Sequence, residues 1–126
     1  MLKKALPFFV LFILLFGCQP DSDEEFTFPE VDFTIEPSTA TVNEIVTFTA
    51  KIVAGEKIVK DADVRFEFWM DGQANADHIV IPIKHSGEGI YKLEKGFAAP
   101  GKYFMYYHAD ALSMHLMEKH EFTIID

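Results

Sequence analysis

From Val31 onward, apolar side chains recur at every second position, and no window sustains a 3.6-residue repeat. Only an extended strand sends successive side chains to opposite faces, so this pattern commits the chain to sheets with one buried face. In IVTFTAKIV, Val46, Phe48, Ala50 and Ile52 alternate with Thr47, Thr49, Lys51 and Val53. In DVRFEFWMDG, Val64, Phe66, Phe68 and Met70 oppose Arg65, Glu67 and Trp69. Further strands follow in HIVIPIKH, GIYKLEKGF, GKYFMYYHA and HLMEKHEFTII, with turns at DGQANAD, SGEG, AAPG and DALS. With a short run from Asp32 to Glu36, the total is about seven strands at the roughly 8–12-residue spacing of an all-β, antiparallel β-sandwich.

The segment PGKYFMY makes the sandwich immunoglobulin-like. It sets Gly101 and Tyr103 at the head of the penultimate strand, where such domains carry a tyrosine whose hydroxyl bonds back to nearby backbone. Tyr103, Met105 and Tyr107 then point inward, and Phe104, Tyr106 and His108 outward. Trp69 shares the outward parity of Arg65 and Glu67, which departs from the inward tryptophan of antibody domains.

The beginning of the chain obeys a different rule. Lys3 and Lys4 precede the apolar run FFVLFILLF, and Leu15-Phe16-Gly17-Cys18 resembles a bacterial lipobox. Residues 1–17 therefore read as a lipoprotein signal peptide, with Cys18 as the lipidation site that ties the chain to the bilayer. The run is shorter than the roughly 18–20 residues of a spanning helix, so a lipid anchor at the extracytoplasmic face of the cell membrane is expected. Residues 18–30, including QPDSDEEFTFPE, form a polar, acidic tether, and residues 31–126 the domain. Cys18 is the only cysteine, so the folded part has no disulfide, thiolate metal site or cysteine nucleophile.

Residues 18–126 keep 9 of the 11 basic side chains, since Lys3 and Lys4 are lost, against all 20 acidic ones. The resulting acidic surface repels phosphate backbones and excludes nucleic acid as a partner. No GxSxG elbow, phosphate-binding glycine loop, HExxH helix or paired-cysteine motif is present, so the chain reads as a non-enzyme.

Chemistry concentrates near the end, where His108, Met114, His115, Met117 and His120 lie within 13 residues. His108 and His115 flank the last connection and reach the same sheet edge. Phe122 and Ile124 look inward on the final strand, which turns His115 and Met117 outward beside His108, with Met114 in the adjacent turn. His120 shares the inward parity and reads as structural, whereas His78, at a strand start, reads as solvated. Imidazole with thioether is a soft donor set that favours Cu(I) over hard cations, and methionine needs no deprotonation to bind. A second reading stands beside this one: a metal-free adapter whose outward Trp69, Phe104 and Tyr106 bind a membrane-protein partner.

Residues 84–122, KHSGEGIYKLEKGFAAPGKYFMYYHADALSMHLMEKHEF, resemble the YtkA-like family of bacterial lipoproteins in a K-H-x-G-x-G-x-Y stretch, a later G-x-Y strand and a terminal M-H-x-M. Glu118 departs from the proline that tends to follow M-H-x-M in relatives. The resemblance implies a small extracytoplasmic immunoglobulin-like domain, similar in outline to periplasmic copper chaperones. It further implies a role in assembling the copper centre of cytochrome c oxidase, with an oxidase subunit or another copper-assembly factor as partner. It adds His85 to His108, Met114, His115 and Met117 as the implied ligand set.

Overall fold

The computed structural model describes residues 27–126; the expected signal peptide, Cys18 and most of the expected tether lie outside the described residues. Two sheets form the domain. The first runs in the order β1 (Pro29–Glu36), β3 (Val46–Ala54), β8 (Ile90–Lys95), β7 (His85–Gly87), with β4 (Lys57–Ile58) on the far end of β3. The second runs β2 (Thr39–Thr41), β10 (Met114–Ile125), β9 (Gly101–Ala111), β5 (Asp63–Met70), β6 (Ile79–Ile83). No α-helix is present among the described residues, only a 3-10 turn at Asn75–Asp77.

The alternation predicted from sequence is the alternation of burial. Val46, Phe48, Ala50 and Ile52 are buried from one sheet, and Val64, Phe66 and Phe68 face them from the other. Phe48 is the hub: its ring lies 4.9 Å from Phe68 and 5.2 Å from Phe122 in edge-on contacts. Edge-on geometry suits the ring quadrupoles and joins the sheets without a disulfide. The tyrosine corner is present, with the Tyr103 hydroxyl donating to the Ala99 carbonyl at 2.7 Å. Met105 is fully buried beneath it.

Three expectations change. HIVIPIKH is not one strand: Ile79–Ile83 pairs with β5 in the second sheet, and after Lys84 the chain crosses to pair His85–Gly87 with β8 in the first. Strands that switch sheets make the corners of sandwiches, and period-two alternation alone cannot mark the switch because both halves obey it. Besides seven longer strands, the short β2, β4 and β7 complete the edges, and β2 joins β10 in parallel, the exception to antiparallel pairing. Finally, β1 begins at Pro29, paired with Ala54, so the expected tether boundary at residue 30 falls inside a strand.

The β9–β10 hairpin closes more tightly than DALS suggested. Only Leu112 and Ser113 lie between the strands, both with positive φ (50° and 63°). Two left-handed residues define the tight hairpin turn whose twist matches the flanking strands. The register that follows sets Met117 opposite His108 and His115 opposite Asp110.

Candidate metal centre on the outer sheet face

His108 on β9 and His115 on β10 point to the solvent side of the second sheet. His108 Nδ1 and His115 Nε2 face each other at 3.5 Å. Behind each ring stands a carboxylate: His108 Nε2 is 2.8 Å from Glu67 Oε1, and His115 Nδ1 is 2.7 Å from Asp110 Oδ1. An ionised carboxylate can only accept, so both of these ring nitrogens donate. In the neutral rings the two nitrogens facing each other therefore carry lone pairs.

Glu67 is engaged twice, because its Oε2 also accepts from His78 Nδ1 at 2.5 Å. Burial raises its pKa, but the hydrogen bonds from His78 and His108 and the charge on those rings outweigh that, and the net shift is downward. His78 is not solvated as its position suggested. Its side chain is 9% exposed, and its ring stacks on Trp69 at 4.4 Å with an interplanar angle of 6°. Asp110 is likewise shared, its Oδ2 lying 3.5 Å from an Arg65 guanidinium nitrogen.

Of the five side chains singled out from sequence, the structure brings three together. His108, His115 and Met117 share one face, with Met117 at the position opposite His108 and 48% exposed. Met114 does not join them. The two-residue turn makes it the first residue of β10, paired with Ala111 and half-buried on the inward-facing side with Leu116. His85 is in the other sheet. Its Nε2 accepts from the Gly89 N–H at 2.9 Å, and its ring rests 5.1 Å from that of Tyr91, so it locks the β7–β8 turn. His120 is structural as expected, packed 4.7 Å from Phe33. Its Nε2 lies 3.0 Å from Glu118 Oε1 but outside hydrogen-bond geometry, so the contact is an ion-pair approach only.

Sequence reasoning overlooked Glu67, Asp110 and His78. Their signal was positional: Glu67 shares the outward parity of Trp69, and the β5–β6 connection returns His78 beside that ring. Among the described residues, no three of His, Cys, Asp and Glu are arranged to hold a metal ion.

Next to the pair lies an aromatic patch. Trp69 is 5.8 Å from Phe104 and 5.3 Å from Tyr106, and the Lys119 ammonium sits 4.4 Å from the Phe104 ring centre and 5.8 Å from that of Trp69.

The sheet order, the tyrosine corner and the packed aromatic interior define an immunoglobulin-like β-sandwich. The YtkA-like family pattern matches residues 29–108, and the chain belongs to that family. The match includes His85 and His108 and ends before Met114, His115 and Met117. No curated protein sequence matches the chain. Among solved structures, the PmoD soluble domain from Methylocystis sp. (Rockwell) is similar in fold. It has a TM-score of 0.52 at 13% identity, over 79% of this chain and 93% of that one. The alkylpurine DNA glycosylase AlkC of Pseudomonas fluorescens has a TM-score of 0.56 at 11% identity over 79% of this chain. The match spans 31% of the glycosylase's length, so the likeness is to one of its parts. A putative glycoside hydrolase from Bacteroides vulgatus gives 0.52 at 16% identity, over 69% of this chain and 16% of that one. At these identities the likeness is one of fold.

Proposed function

We propose that this YtkA-like domain is a lipid-anchored, extracytoplasmic carrier of Cu(I), held to the membrane through Cys18 and serving assembly of the copper centre of cytochrome c oxidase. The observation that carries the reading is the facing pair of imidazole nitrogens, each ring backed by a carboxylate, with the Met117 position alongside. Two lone pairs aimed at each other repel unless a proton or a cation lies between them. Metal–imidazole bonds of about 2 Å can together bridge about 4 Å, which accommodates the 3.5 Å gap. With a soft thioether as third donor, the set suits Cu(I) better than zinc, whose sites ask for more imidazole, thiolate or carboxylate ligands.

The position of the pair suits delivery rather than storage. It lies on an exposed hairpin face, so ligands from a membrane-protein acceptor, an oxidase subunit or another assembly factor, can approach as His115 and Met117 leave. The protein acts as a carrier and not as a catalyst. Met114 and His85 drop out of the proposed ligand set, because neither lies on this face.

An anaerobic titration of the full-length chain in detergent against a Cu(I) chelator tests the reading. One copper per chain is expected, and His115→Ala combined with Met117→Ala should weaken it at least about a hundredfold, the loss of two ligands at about 1.4 kcal/mol or more each. Failure of the wild-type chain to compete with the chelator, or no change in the double variant, would overturn it. The adapter reading draws on the aromatic patch of Trp69, Phe104 and Tyr106. Crosslinking to a membrane partner that persists after copper chelation and in the double variant would favour it.

A further inference from the structure

We infer that Glu67 and Asp110 are the positioning residues of the histidine pair: each fixes one imidazole in the tautomer and ring orientation that aims its free nitrogen at the gap. The inference rests on the copper reading for its purpose, but its physical content concerns the metal-free protein.

The two halves of the arrangement are built alike. On one side, His108 presents Nδ1 to the gap because Nε2 is engaged by Glu67 Oε1. On the other, His115 presents Nε2 because Nδ1 is engaged by Asp110 Oδ1. The pair thus uses opposite ring nitrogens. A free imidazole exchanges tautomers, and either ring in the other tautomer would put an N–H into the gap where a lone pair is needed. The carboxylates remove that alternative, since neither can donate once ionised.

Each carboxylate is in turn held on its second oxygen by a different group. Glu67 Oε2 takes the His78 N–H, and His78 is pinned flat on Trp69. Asp110 Oδ2 is approached by Arg65. Glu67, Arg65 and Trp69 are alternate residues of β5, and Asp110 is two residues from His108 on β9. β5 therefore backs His108 on β9 directly through Glu67, and His115 on β10 indirectly, through Arg65 acting on the β9 residue Asp110. In characterised metal sites, loss of such a backing partner typically costs about 10–100-fold in metal affinity. This assigns a role to His78 and Trp69 that neither packing nor exposure required: they keep the Glu67 side chain in one rotamer.

The test is a nitrogen-15 spectrum of the histidine rings in the metal-free, full-length chain, recorded where the imidazoles are neutral. His108 should carry its proton on Nε2 and His115 on Nδ1. His85 is an internal control, since its bond from Gly89 requires the Nδ1–H form. In Glu67→Leu, His108 should lose its single tautomer and become a mixture, with His115 and His85 unchanged. In Asp110→Ala, a change at an exposed position that leaves the fold intact, His115 alone should become mixed. Copper affinity should fall about 10–100-fold in each variant. Wild-type rings already in mixed or opposite tautomers, or tautomers indifferent to both substitutions, would overturn the inference. Should the wild-type chain show the stated tautomers and take up no copper, the proposed function falls while the positioning roles stand.

Discussion

Gly89 shows how far single residues shape this domain. Its φ is 75°, and a Cβ there would lie 2.7 Å from the Ile52 carbonyl oxygen and 2.7 Å from an Ile58 methyl group. Its N–H supplies the His85 bond, and its carbonyl accepts from Ile52 at 2.9 Å. We expect Gly89→Ala to destabilise the fold by about 2 kcal/mol or more in urea denaturation, because backbone strain and a clash with main chain coincide. Tyr91, two residues on, ends the K-H-x-G-x-G-x-Y stretch with a hydroxyl that donates to the Val59 carbonyl and accepts from the Ala62 N–H. Tyr91→Phe leaves two backbone groups without a partner and should cost about 1–3 kcal/mol by the same measurement. In this chain, then, the stretch carrying the family resemblance is a fold lock. His85 belongs to the lock and stands apart from the His108–His115 pair, a distinction unreadable from sequence because a turn-capping and a ligating histidine look the same there.

The β9–β10 hairpin is the element on which the site depends. Alternation was enough to turn His108, His115 and Met117 to one face, since a strand's parity follows from any single inward residue. Alternation could not show where the turn lies, and that decided Met114. A longer loop would have left it free, whereas the two-residue turn drew it into β10 on the inward side. Leu112 and Ser113 occupy left-handed conformations that neither favours, at about 1 kcal/mol or more apiece. Leu112→Asn with Ser113→Gly supplies the sequence such a turn prefers. After allowance for the greater unfolded-chain freedom of glycine, a net gain of about 1 kcal/mol is expected, read as a rise of several degrees in Tm. Copper affinity should be unchanged, because the register between His108 and Met117 is set by strand pairing. Glu67, Asp110 and His78 were invisible for a related reason: His108 reaches Glu67 diagonally on the adjacent strand β5, and cross-strand neighbours require a register.

At the scale of the whole molecule, stability rests on two sheets joined by aromatic side chains, three of them tyrosines. Burial raises the pKa of Tyr91, Tyr103 and Tyr107 above the ordinary phenol value of 10.0; the charge of Asp61 adds to this for Tyr91, and that of Glu118 for Tyr107. The folded state therefore favours the neutral phenol. Its contribution is fully present below the unfolded-state value and is lost as pH rises from about 10 through the higher folded-state values. Urea unfolding followed over that range should show stability falling with pH, with a shallower slope in Tyr103→Phe.

The sequence alone determined the class of the fold, the buried face of nearly every strand, the tyrosine corner and the side of the sheet on which the histidines lie. All of these depend on period-two alternation or on residues close together in the chain. The tertiary structure decided which strands pair, where HIVIPIKH crosses between sheets, that His85 and Met114 stand apart, and that Glu67 and Asp110 back the two imidazoles. Those outcomes depend on strand register and turn geometry and, for Glu67 and His108, on approach between residues 41 positions apart in the chain. Alternation repeats every two residues and looks the same after a shift of two, so it determines which face a side chain takes but not which neighbour it meets.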